Sequence, residues 1–452
     1  MVKEREEKTM KKLRKRLMAF GLAMVMATTV LTGCGAGTKN SVSDYEYDPT
    51  GTTELSGTFE LQIFVGGYGS EAWEEIIDDF EELHPELDVV AYMDSNVNKQ
   101  MQTRWMQGNP PDFVFLTGSN LPTATYRDEG KLLDLTSFYE KATIYDTDTL
   151  LKDKLSSNSI RKFDDVIYSL PIIEEAYGIW YDDVYLKELG MTIPTNYDEL
   201  VAFGQNAKSK GIDSIIYPGI SSMYLVQGLI FPALAVYGQD YFDRITTASD
   251  VEAFQDERFR DVMTRFKTLV DTGMFSEGTV SLNHIQSQMQ WLQHKATFIP
   301  NGMWLENEMK EDIPDGFTMN YAVPMMNKAD EEQVIVTSGA EIGVATDGDN
   351  KEAALEFIRF LYKDENMAKF AEYSDAIPSS NVNLSGVELS ETTKRAQAIL
   401  ADPHYKHVSI NLSWGSVDAV MKDVVNQMVL GELDVDGAIK TLVEAVEKKL
   451  NE

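Results

Sequence analysis

The first regular pattern of apolar and polar positions in the chain begins at Thr58. Over residues 58–65 (TFELQIFV) apolar side chains alternate with others, which predicts a strand with one apolar face. After the turn GGYGS the apolar spacing changes to three and four residues, which predicts an amphipathic helix over residues 70–84. Pro85 ends this helix, because proline cannot continue one. The apolar residues of the helix are Trp73, Ile76, Ile77, Phe80 and Leu83.

Strand and helix patterns continue to alternate as far as residue 116. Strands are predicted over residues 87–93 and 112–116, with a helix over residues 95–107 between them. A β-α-β-α-β order predicts a mainly parallel sheet covered by helices. Ligands of such sheets bind beyond the carboxyl ends of the strands. The turns at residues 66–70 and 117–120 are therefore predicted to form a binding edge.

Later elements follow the same two periodicities, so the whole chain is predicted to be α/β. The segment MTIPTNYDEL predicts a helix over residues 197–209 that either Thr195 or Asn196 caps. Two amphipathic helices, over residues 417–430 and 435–450, close the chain. Further helices are predicted over 185–189, 262–272, 284–293 and 351–362, and further strands over 176–182, 295–300, 317–324 and 341–346.

The N-terminal segment has the pattern of a secretory signal peptide, predicted here as residues 1–33. A basic cluster at residues 11–16 precedes the uncharged run 17–31, which is shorter than the about 20 residues that span a bilayer. The run ends in Leu-Thr-Gly-Cys, which resembles the bacterial lipobox. Cys34 is therefore predicted to carry acyl chains, palmitate among them, that tether the protein to a membrane; a buried cysteine is the alternative. Met10 is an alternative start of the chain.

Composition narrows the class of protein further. The chain has 452 residues, a formal net charge of −33 and one cysteine. This length predicts two domains, and the negative charge argues against nucleic-acid binding through a basic patch. A lone cysteine excludes an intramolecular disulfide. Residues 34–56 are polar, acidic and rich in Gly, Ser and Thr, which predicts a flexible spacer after Cys34.

Five stretches of the chain carry a family resemblance. They are FEELHPELDV (80–89), GNPPDFVF (108–115), LPIIEEAYGIWYDDVYLKELGMTIPTNYDEL (170–200), ATFIPNGMWLENEM (296–309) and QMVLGELDVDGAIK (427–440). In this order, behind a lipobox-like segment, they resemble the family 1 extracellular solute-binding proteins of ABC importers, the carbohydrate-binding lipoproteins. The resemblance covers nearly all of the chain that follows Cys34.

The resemblance implies a two-lobe α/β fold of the periplasmic-binding-protein type II. Each lobe would be a mainly parallel sheet flanked by helices, with a ligand cleft between hinged lobes. Lobe one would comprise residues 57–170 and 317–375, and lobe two residues 171–316 and 376–452. The chain would cross between the lobes at three places, near Pro171, Phe317 and Ile377.

Two details of the sequence bear on this resemblance. The family commonly has Tyr-Asn-Lys after the crossover strand, where this chain has Tyr181, Asp182 and Asp183. The segment NGMWLENE resembles the form found in members that take N-acetylglucosamine or short chitin-type sugars. This second detail is a hint about the class of ligand.

The main candidate ligand-binding residues are aromatic and acidic, because a sugar offers apolar C–H faces and a rim of hydroxyls. The resemblance implies that Trp304 stacks on sugar and that Trp414, in NLSWGS, supplies a second ring; a position in the core is the alternative for both. Glu174 and Glu175 start a predicted strand, and adjacent carboxylates are rarely buried unless paired. Because strand side chains alternate, one of them is expected to face the cleft. Glu175 matches the family's acidic contact better, and a solvated turn is the alternative.

Five weaker candidates complete the predicted site. Tyr68, Ser119 and Asn120 lie on the two turns of the predicted binding edge, where they are either hydroxyl partners or ordinary turn residues. Glu341, in SGAEIGVA, enters an apolar strand and is expected to point into the cleft. Tyr224 is a candidate from lobe two.

The resemblance implies a membrane-tethered, extracytoplasmic monomer that captures a sugar or oligosaccharide and delivers it to ABC permease subunits, without a cofactor and without catalysis. His404 and His407, with Asp402, have metal-like spacing, but no helix aligns them, so no metal site is predicted. Two alternatives stay open. One is a surface glycoside hydrolase that uses Glu175 and a second carboxylate; the other is a receptor of the same fold for a non-sugar solute.

Overall fold

The computed structural model describes residues 46–49, 54–118, 120–155, 160–410 and 412–452. Cys34, the predicted signal peptide and most of the predicted spacer lie outside these residues. The described residues form a mixed α/β fold around a nine-stranded sheet. The strands are β1 (Gly57–Phe64), β2 (Leu87–Asp94), β3 (Phe113–Leu116), β4 (Leu170–Asp182), β5 (Phe298–Gly302), β6 (Met319–Ala322), β7 (Val334–Val344), β8 (Ile377–Pro378) and β9 (Lys406–Ser409).

Helices flank the sheet, and no helix of the described part combines the length and apolar character that a membrane span requires. One predicted cap is confirmed, since Oδ1 of Asn196 accepts a hydrogen bond from the backbone N–H of Glu199 at 3.0 Å. The α-helices are α1 (Glu71–Leu83), α2 (Val97–Met106), α3 (Thr123–Asp128), α4 (Thr136–Lys141), α5 (Leu151–Lys154), α6 (Asp183–Glu188), α7 (Tyr197–Ser209), α8 (Met223–Leu225), α9 (Phe231–Ala235), α10 (Gln239–Thr246), α11 (Val251–Gln255), α12 (Glu257–Asp271), α13 (His284–Leu292), α14 (Leu305–Met309), α15 (Lys351–Leu361), α16 (Asp364–Ser374), α17 (Glu391–Ala401), α18 (Val417–Val429) and α19 (Val435–Leu450).

The predicted β-α-β-α-β start of the fold is confirmed. Strands β2, β1 and β3 lie side by side and parallel, with Leu61 opposite both Ala91 and Phe113. Helix α1 buries one face against them, because its apolar residues recur at helical spacing. The turns that follow β1 and β3 therefore lie at the same edge of the sheet, as predicted.

Strand β4 is 13 residues long and joins two parts of the sheet. Its first half pairs with β7, and its second half pairs with β5 and β6; all three pairings are antiparallel. Strand β7 returns along β4 and therefore runs in the opposite direction. The expected parallel pairing holds for β1 with its two neighbours and for β7 with β9.

Buried side chains form two large cores, and their membership corrects one predicted crossing. The first core is built around β1, β3, α1 and α15, and the second around α7, α12, α18 and α19. Strand β6 pairs with the second half of β4, so the chain cannot leave this side at Phe317. Residues after Phe317 still pack in the second core, namely Met325, Met326, Val334 and Val336. The chain reaches the first core only within β7, at Ala340 and Ile342.

The other two predicted crossings fall in the first half of β4 and in β8, and they stay predictions. Pro171 lies in the part of β4 that pairs with β7, and β8 pairs with Ile173 and Glu174 of β4. Three strand segments, in β4, β7 and β8, thus run side by side between the two cores. The exact boundaries of the two lobes stay a prediction.

Candidate ligand-binding site

Three tyrosines surround Trp304, and each ring meets the indole edge to face. Ring centroids of Tyr68, Tyr177 and Tyr224 lie 6.1, 5.3 and 6.2 Å from that of Trp304. Tyr177 and Tyr224 also lie 5.7 Å from each other. Edge-to-face contacts at these separations are favourable beyond the area they bury. All four side chains are only half-buried, so each ring keeps part of its surface accessible from outside.

The ring cluster combines elements from both cores. Tyr68 lies in the turn after β1 and packs against the first core. Tyr177 lies on β4, Tyr224 on α8, and Trp304 lies two residues after the end of β5. The cluster therefore lies where the parts of the chain that build the two cores meet.

The turn after β1 makes close contact with the start of α14. A Cβ atom added to Gly67 would lie 2.5 Å from Cδ1 of Trp304, so the approach requires a glycine. Nδ2 of Asn307 donates a hydrogen bond to the carbonyl oxygen of Gly67 at 2.7 Å. These contacts hold Tyr68 beside Trp304.

A buried carboxyl group lies beside the ring cluster. Glu175 is 7% exposed, and its carboxyl lies close enough to the hydroxyl of Tyr68 for each group to shift the pKa of the other. Burial raises the pKa of Glu175 from its ordinary value of 4.5 to about 7, although the Tyr68 hydroxyl and the positive charge of Arg161 act in the opposite direction. The neighbouring charge of Glu341 raises this pKa further. Glu175 thus places a carboxyl group, the natural partner of a hydroxyl, next to the rings.

Because the pKa of Glu175 is raised, its contribution to the free energy of unfolding should depend on pH. Between pH 4.5 and about 7 the unfolded chain has released the proton that the folded protein still holds. The free energy of unfolding that this group contributes therefore falls as the pH rises through that window. A Glu175→Gln variant should gain stability relative to the native chain across the same window, as measured by urea unfolding at pH 4, 5.5 and 7.5.

A second variant separates the role of the Tyr68 hydroxyl. Tyr68→Phe removes a group that lowers the pKa of Glu175, so it should extend the pH-dependent window upward. A stability difference between Glu175→Gln and the native chain that is the same at all three pH values would contradict the raised pKa.

Polar contacts join α13 to α14 beside two of the rings. Oε2 of Glu308 lies 2.7 Å from Nε2 of His284 and accepts a hydrogen bond of 2.7 Å from Nε2 of Gln288. The backbone N–H of Glu308 donates to the carbonyl oxygen of Trp304 at 2.9 Å. The imidazole of His284 packs 4.9 Å from the ring of Tyr224. Glu308 therefore links the backbone of Trp304 to His284, the residue that packs against the ring of Tyr224.

The structure brings together four residues that the sequence analysis identified separately: Trp304, Glu175, Tyr68 and Tyr224. It adds Tyr177, which the sequence analysis missed. Tyr177 lies two positions after Glu175 on β4, and alternate residues of a strand share a face. Applying that alternation to the acidic candidate would have found it.

Glu341 lies near this site and belongs to its electrostatic environment. It is 8% exposed, accepts a hydrogen bond of 2.8 Å from Oγ of Ser169 and lies 3.3 Å from Nε of Arg161. Arg161 also lowers the pKa of Glu175. Glu341 therefore has protein partners already, and direct contact with a ligand stays a prediction.

Glu174 faces away from Glu175, which corrects its place among the candidates. Burial raises the pKa of Glu174, and its nearest charged influence is His407 rather than the groups around Glu175. Successive side chains of β4 point to opposite faces of the sheet. Of the two adjacent carboxylates, only Glu175 is therefore beside the ring cluster.

Trp414 is a core residue, which corrects its prediction as a second stacking ring. Its side chain is 2% exposed and packs in the second core, with its ring 5.4 Å from that of Phe231. Its indole N–H donates to the carbonyl oxygen of Ile245 at 2.6 Å. A ring enclosed on all sides offers no face to a ligand.

The loop after β3 gives less information about the candidate site. Ser119 lies outside the described residues. Asn120 is exposed with a positive φ of 63°, and its carbonyl oxygen accepts a hydrogen bond of 3.4 Å from Nε2 of Gln102. Its role as a hydroxyl partner stays a prediction.

Comparison with solved structures gives the same fold. The chain superposes on RafE bound to raffinose with a TM-score of 0.69 at 18% identity, over 87% of this chain and 99% of RafE. It superposes on a chitin oligosaccharide binding protein with a TM-score of 0.70 at 17% identity, over 88% of this chain and 100% of the other. The fold is therefore that of the two-lobe solute-binding proteins.

Sequence comparison identifies related binding proteins and the family of the chain. The diacetylchitobiose binding protein NgcE of Streptomyces coelicolor is 25% identical over 330 residues, covering 70% of this chain and 68% of NgcE. A multiple sugar-binding protein of Streptococcus mutans is 22% identical over 366 residues, covering 78% and 82%. The family model of the bacterial extracellular solute-binding proteins matches residues 66–368, which is more than half of the chain. The chain therefore belongs to the bacterial extracellular solute-binding proteins.

Proposed function

We propose that this protein captures a sugar or oligosaccharide between its two halves and delivers it unaltered to an ABC importer. The observation that carries the proposal is the ring cluster around Trp304 with the Glu175 carboxyl beside it. Relatives named for diacetylchitobiose and for multiple sugars support the class of ligand.

The chemistry of the site fits this class of ligand. A sugar ring presents C–H groups on its faces, which pack on aromatic rings, and hydroxyls at its edge, which hydrogen-bond to carboxyl and phenol oxygens. Trp304 supplies the broadest face, and Glu175 and Tyr68 supply oxygens next to it. A non-sugar solute would make less use of this combination.

Capture would use the strands that run between the two cores. Ligand contacts on both sides of the ring cluster favour the closed arrangement, because that arrangement gains contacts that the open one lacks. Rotation about β4, β7 and β8 is the simplest hinge, since these strands connect the cores. The lobe assignment that follows is residues 57–170 and about 338–375 for lobe one, with the remainder of the folded part in lobe two.

The N-terminal region gives the proposed location. We expect residues 1–33 to be removed, Cys34 to be acylated, and residues 35–56 to act as a spacer that keeps the monomeric receptor near its permease partners outside the cytoplasmic membrane. Acyl chains contribute about 0.8 kcal/mol for each buried CH₂ group, so two chains anchor firmly. Mass spectrometry of the mature protein would identify the acylated N-terminus.

A sugar panel tests the proposed function directly. Thermal unfolding would be followed with mono-, di- and trisaccharides, including N-acetylglucosamine, diacetylchitobiose and raffinose. A ligand at 100 times its Kd stabilises the folded protein by about 2.7 kcal/mol, so the cargo should raise the melting temperature clearly. Chromatography of the recovered sugar should show no cleavage. Hydrolysis products would favour the glycoside hydrolase alternative, and no shift with any sugar would contradict the proposal.

A further inference from the structure

We infer that Asn307 stabilises the closed arrangement of the two lobes without touching the sugar, through a hydrogen bond from its side-chain amide to the backbone of Gly67. The inference rests on the proposed function and deepens it, because it names a positioning residue that sets sugar affinity by controlling closure. Both partners of this interlobe hydrogen bond belong to the protein, so the lobes should close part of the time before a sugar arrives.

The two partners come from opposite sides of the site. Gly67 lies in the turn after β1, and the next residue, Tyr68, packs against the first core. Asn307 lies on α14, whose Leu305 and Met309 are buried in a third cluster with residues of β5, β6 and the second half of β4. Nδ2 of Asn307 donates to the Gly67 carbonyl oxygen at 2.7 Å, across 240 positions of sequence. The bond therefore joins the parts of the chain that the proposed hinge would move.

Helix α14 is held on its own side of the site, which gives the Asn307 amide a defined position. Oγ of Ser390 lies 3.0 Å from Oε2 of Glu306, and Nε2 of Gln288 donates to Oε2 of Glu308 at 2.7 Å. The side chain between these two glutamates reaches across to Gly67. An amide that is already positioned loses little conformational freedom when it forms a bond across the site.

The acceptor determines which way the Asn307 amide points. A backbone carbonyl oxygen accepts hydrogen bonds and donates none, so the amide N–H must face Gly67. An aspartate at position 307 would place a carboxylate oxygen against that carbonyl oxygen, and the two acceptors would repel each other. Because aspartate has nearly the size of asparagine, Asn307→Asp tests the bond with little change in packing.

A second contact of Gly67 requires the same close approach of the two sides. A Cβ atom added to Gly67 would lie 2.5 Å from Cδ1 and 2.9 Å from Cβ of Trp304, closer than non-bonded carbon atoms pack. The φ of Gly67 lies outside the left-handed region, so the backbone itself accepts alanine. Gly67→Ala should therefore oppose the approach that the interlobe hydrogen bond needs, while the turn itself stays unstrained.

The test compares closure and sugar affinity in the native chain, Asn307→Ala, Asn307→Asp, Gly67→Ala and the control Asn206→Asp. Asn206 is exposed on α7, whose buried face packs in the second core, so the control carries the same change of charge without the interlobe hydrogen bond. Small-angle X-ray scattering would measure the radius of gyration without sugar. Calorimetry would measure affinity for N-acetylglucosamine, diacetylchitobiose and raffinose, and thermal unfolding would show that each variant is folded.

The sugar-free proteins should differ in their degree of closure. Asn307→Ala should have a larger radius of gyration than the native chain, Asn307→Asp a still larger one, and Asn206→Asp the native value. Loss of one hydrogen bond should weaken sugar binding about threefold to tenfold in Asn307→Ala. The factor should be the same for every sugar that binds, because the bond changes the closed population and not the contacts with the ligand.

A double variant provides an independent criterion. Gly67→Ala combined with Asn307→Ala should bind sugar no more weakly than Gly67→Ala alone, because the hydrogen bond cannot form once the close approach is blocked. Additive losses would show that Asn307 acts through some other contact and would contradict the inference.

The remaining outcomes separate closure from direct ligand contact. An equal sugar-free radius of gyration in the native chain and both Asn307 variants would overturn the inference. Native affinity in Asn307→Asp, or losses in Asn307→Ala that differ from sugar to sugar, would assign Asn307 to ligand contact instead, because a carboxylate accepts hydrogen bonds from sugar hydroxyls. Failure of every sugar to bind the native chain would overturn the proposed function, and the sugar-free scattering would still decide whether Asn307 holds the lobes together.

Discussion

Replacing Trp304 by alanine should weaken sugar binding about tenfold to a hundredfold, a loss of roughly 1.4–2.7 kcal/mol. Within the ring cluster, the indole is the ring that contacts all of the others, namely the three tyrosines. Its removal takes away the largest apolar face and leaves the three phenol rings without a common support. Tryptophan in such central positions commonly dominates binding energy. Isothermal titration calorimetry with the sugar identified by the thermal panel measures the effect.

Two controls show whether the loss reflects the missing ring. Trp304→Phe keeps an aromatic face and should recover part of the affinity. Thermal unfolding without sugar should show that Trp304→Ala remains folded, since the side chain is only half-buried. Unchanged affinity in a folded Trp304→Ala protein would remove Trp304 from the site and would contradict the proposed role of the ring cluster.

Local patterns in the sequence predicted elements better than they predicted pairings. The strand expected at residues 58–65 and the helix expected at 70–84 correspond to β1 and α1 within one residue at each end. In both, apolar side chains recur at a regular spacing and are buried, so the periodicity is clear, although the polar Gln62 of β1 is buried as well. Strand β4 begins at Leu170 rather than at the predicted Ala176. Its first residues are buried on both faces and form a continuous apolar run, which carries no alternation.

The predicted crossing near Phe317 is wrong because it, too, depends on something that local spacing does not show. Whether residues 319–322 pair with the first or the second half of β4 is a long-range property that local spacing does not encode. The apolar residues Met325 and Met326 would suit either core by composition. Only the pairing of β6 with β4 decides that they belong to the second.

The candidate site was predictable residue by residue but not as an arrangement. Trp304 and Glu175 could be identified because family resemblance and strand alternation place a ring and a carboxyl at definite positions. The grouping of Tyr68 with them depends on the contact of Gly67 with Trp304, across more than 200 residues of sequence. Sequence patterns contain no direct signal for such a contact.

Trp414 shows how neighbouring residues can mislead. Leu412, Gly415 and Ser416 are exposed, as their polar surroundings suggest, yet the indole between them points inward. Its flat ring reaches Phe231 and its N–H reaches the carbonyl oxygen of Ile245. The polar residues of this loop therefore indicate that its backbone is exposed. They do not indicate the position of the one large side chain, which anchors the loop to the core.

Replacing this anchor should cause the largest loss of stability among the variants considered. Trp414→Ala is expected to lower the free energy of unfolding by about 3–5 kcal/mol, the usual range for a fully buried tryptophan. The cost has two sources, the cavity left against Phe231 and the carbonyl oxygen of Ile245 that loses its donor. Urea unfolding followed by circular dichroism measures the change.

The conservative variant and a binding measurement distinguish a core role from a ligand-binding role. Trp414→Phe keeps most of the packing and loses the hydrogen bond, so it should cost about 1–2 kcal/mol. Below its melting temperature, Trp414→Ala should bind sugar with nearly native affinity, because the buried indole presents no face to the ring cluster. A Trp414→Ala protein of native stability whose sugar affinity falls sharply would reverse this assignment and return Trp414 to the site.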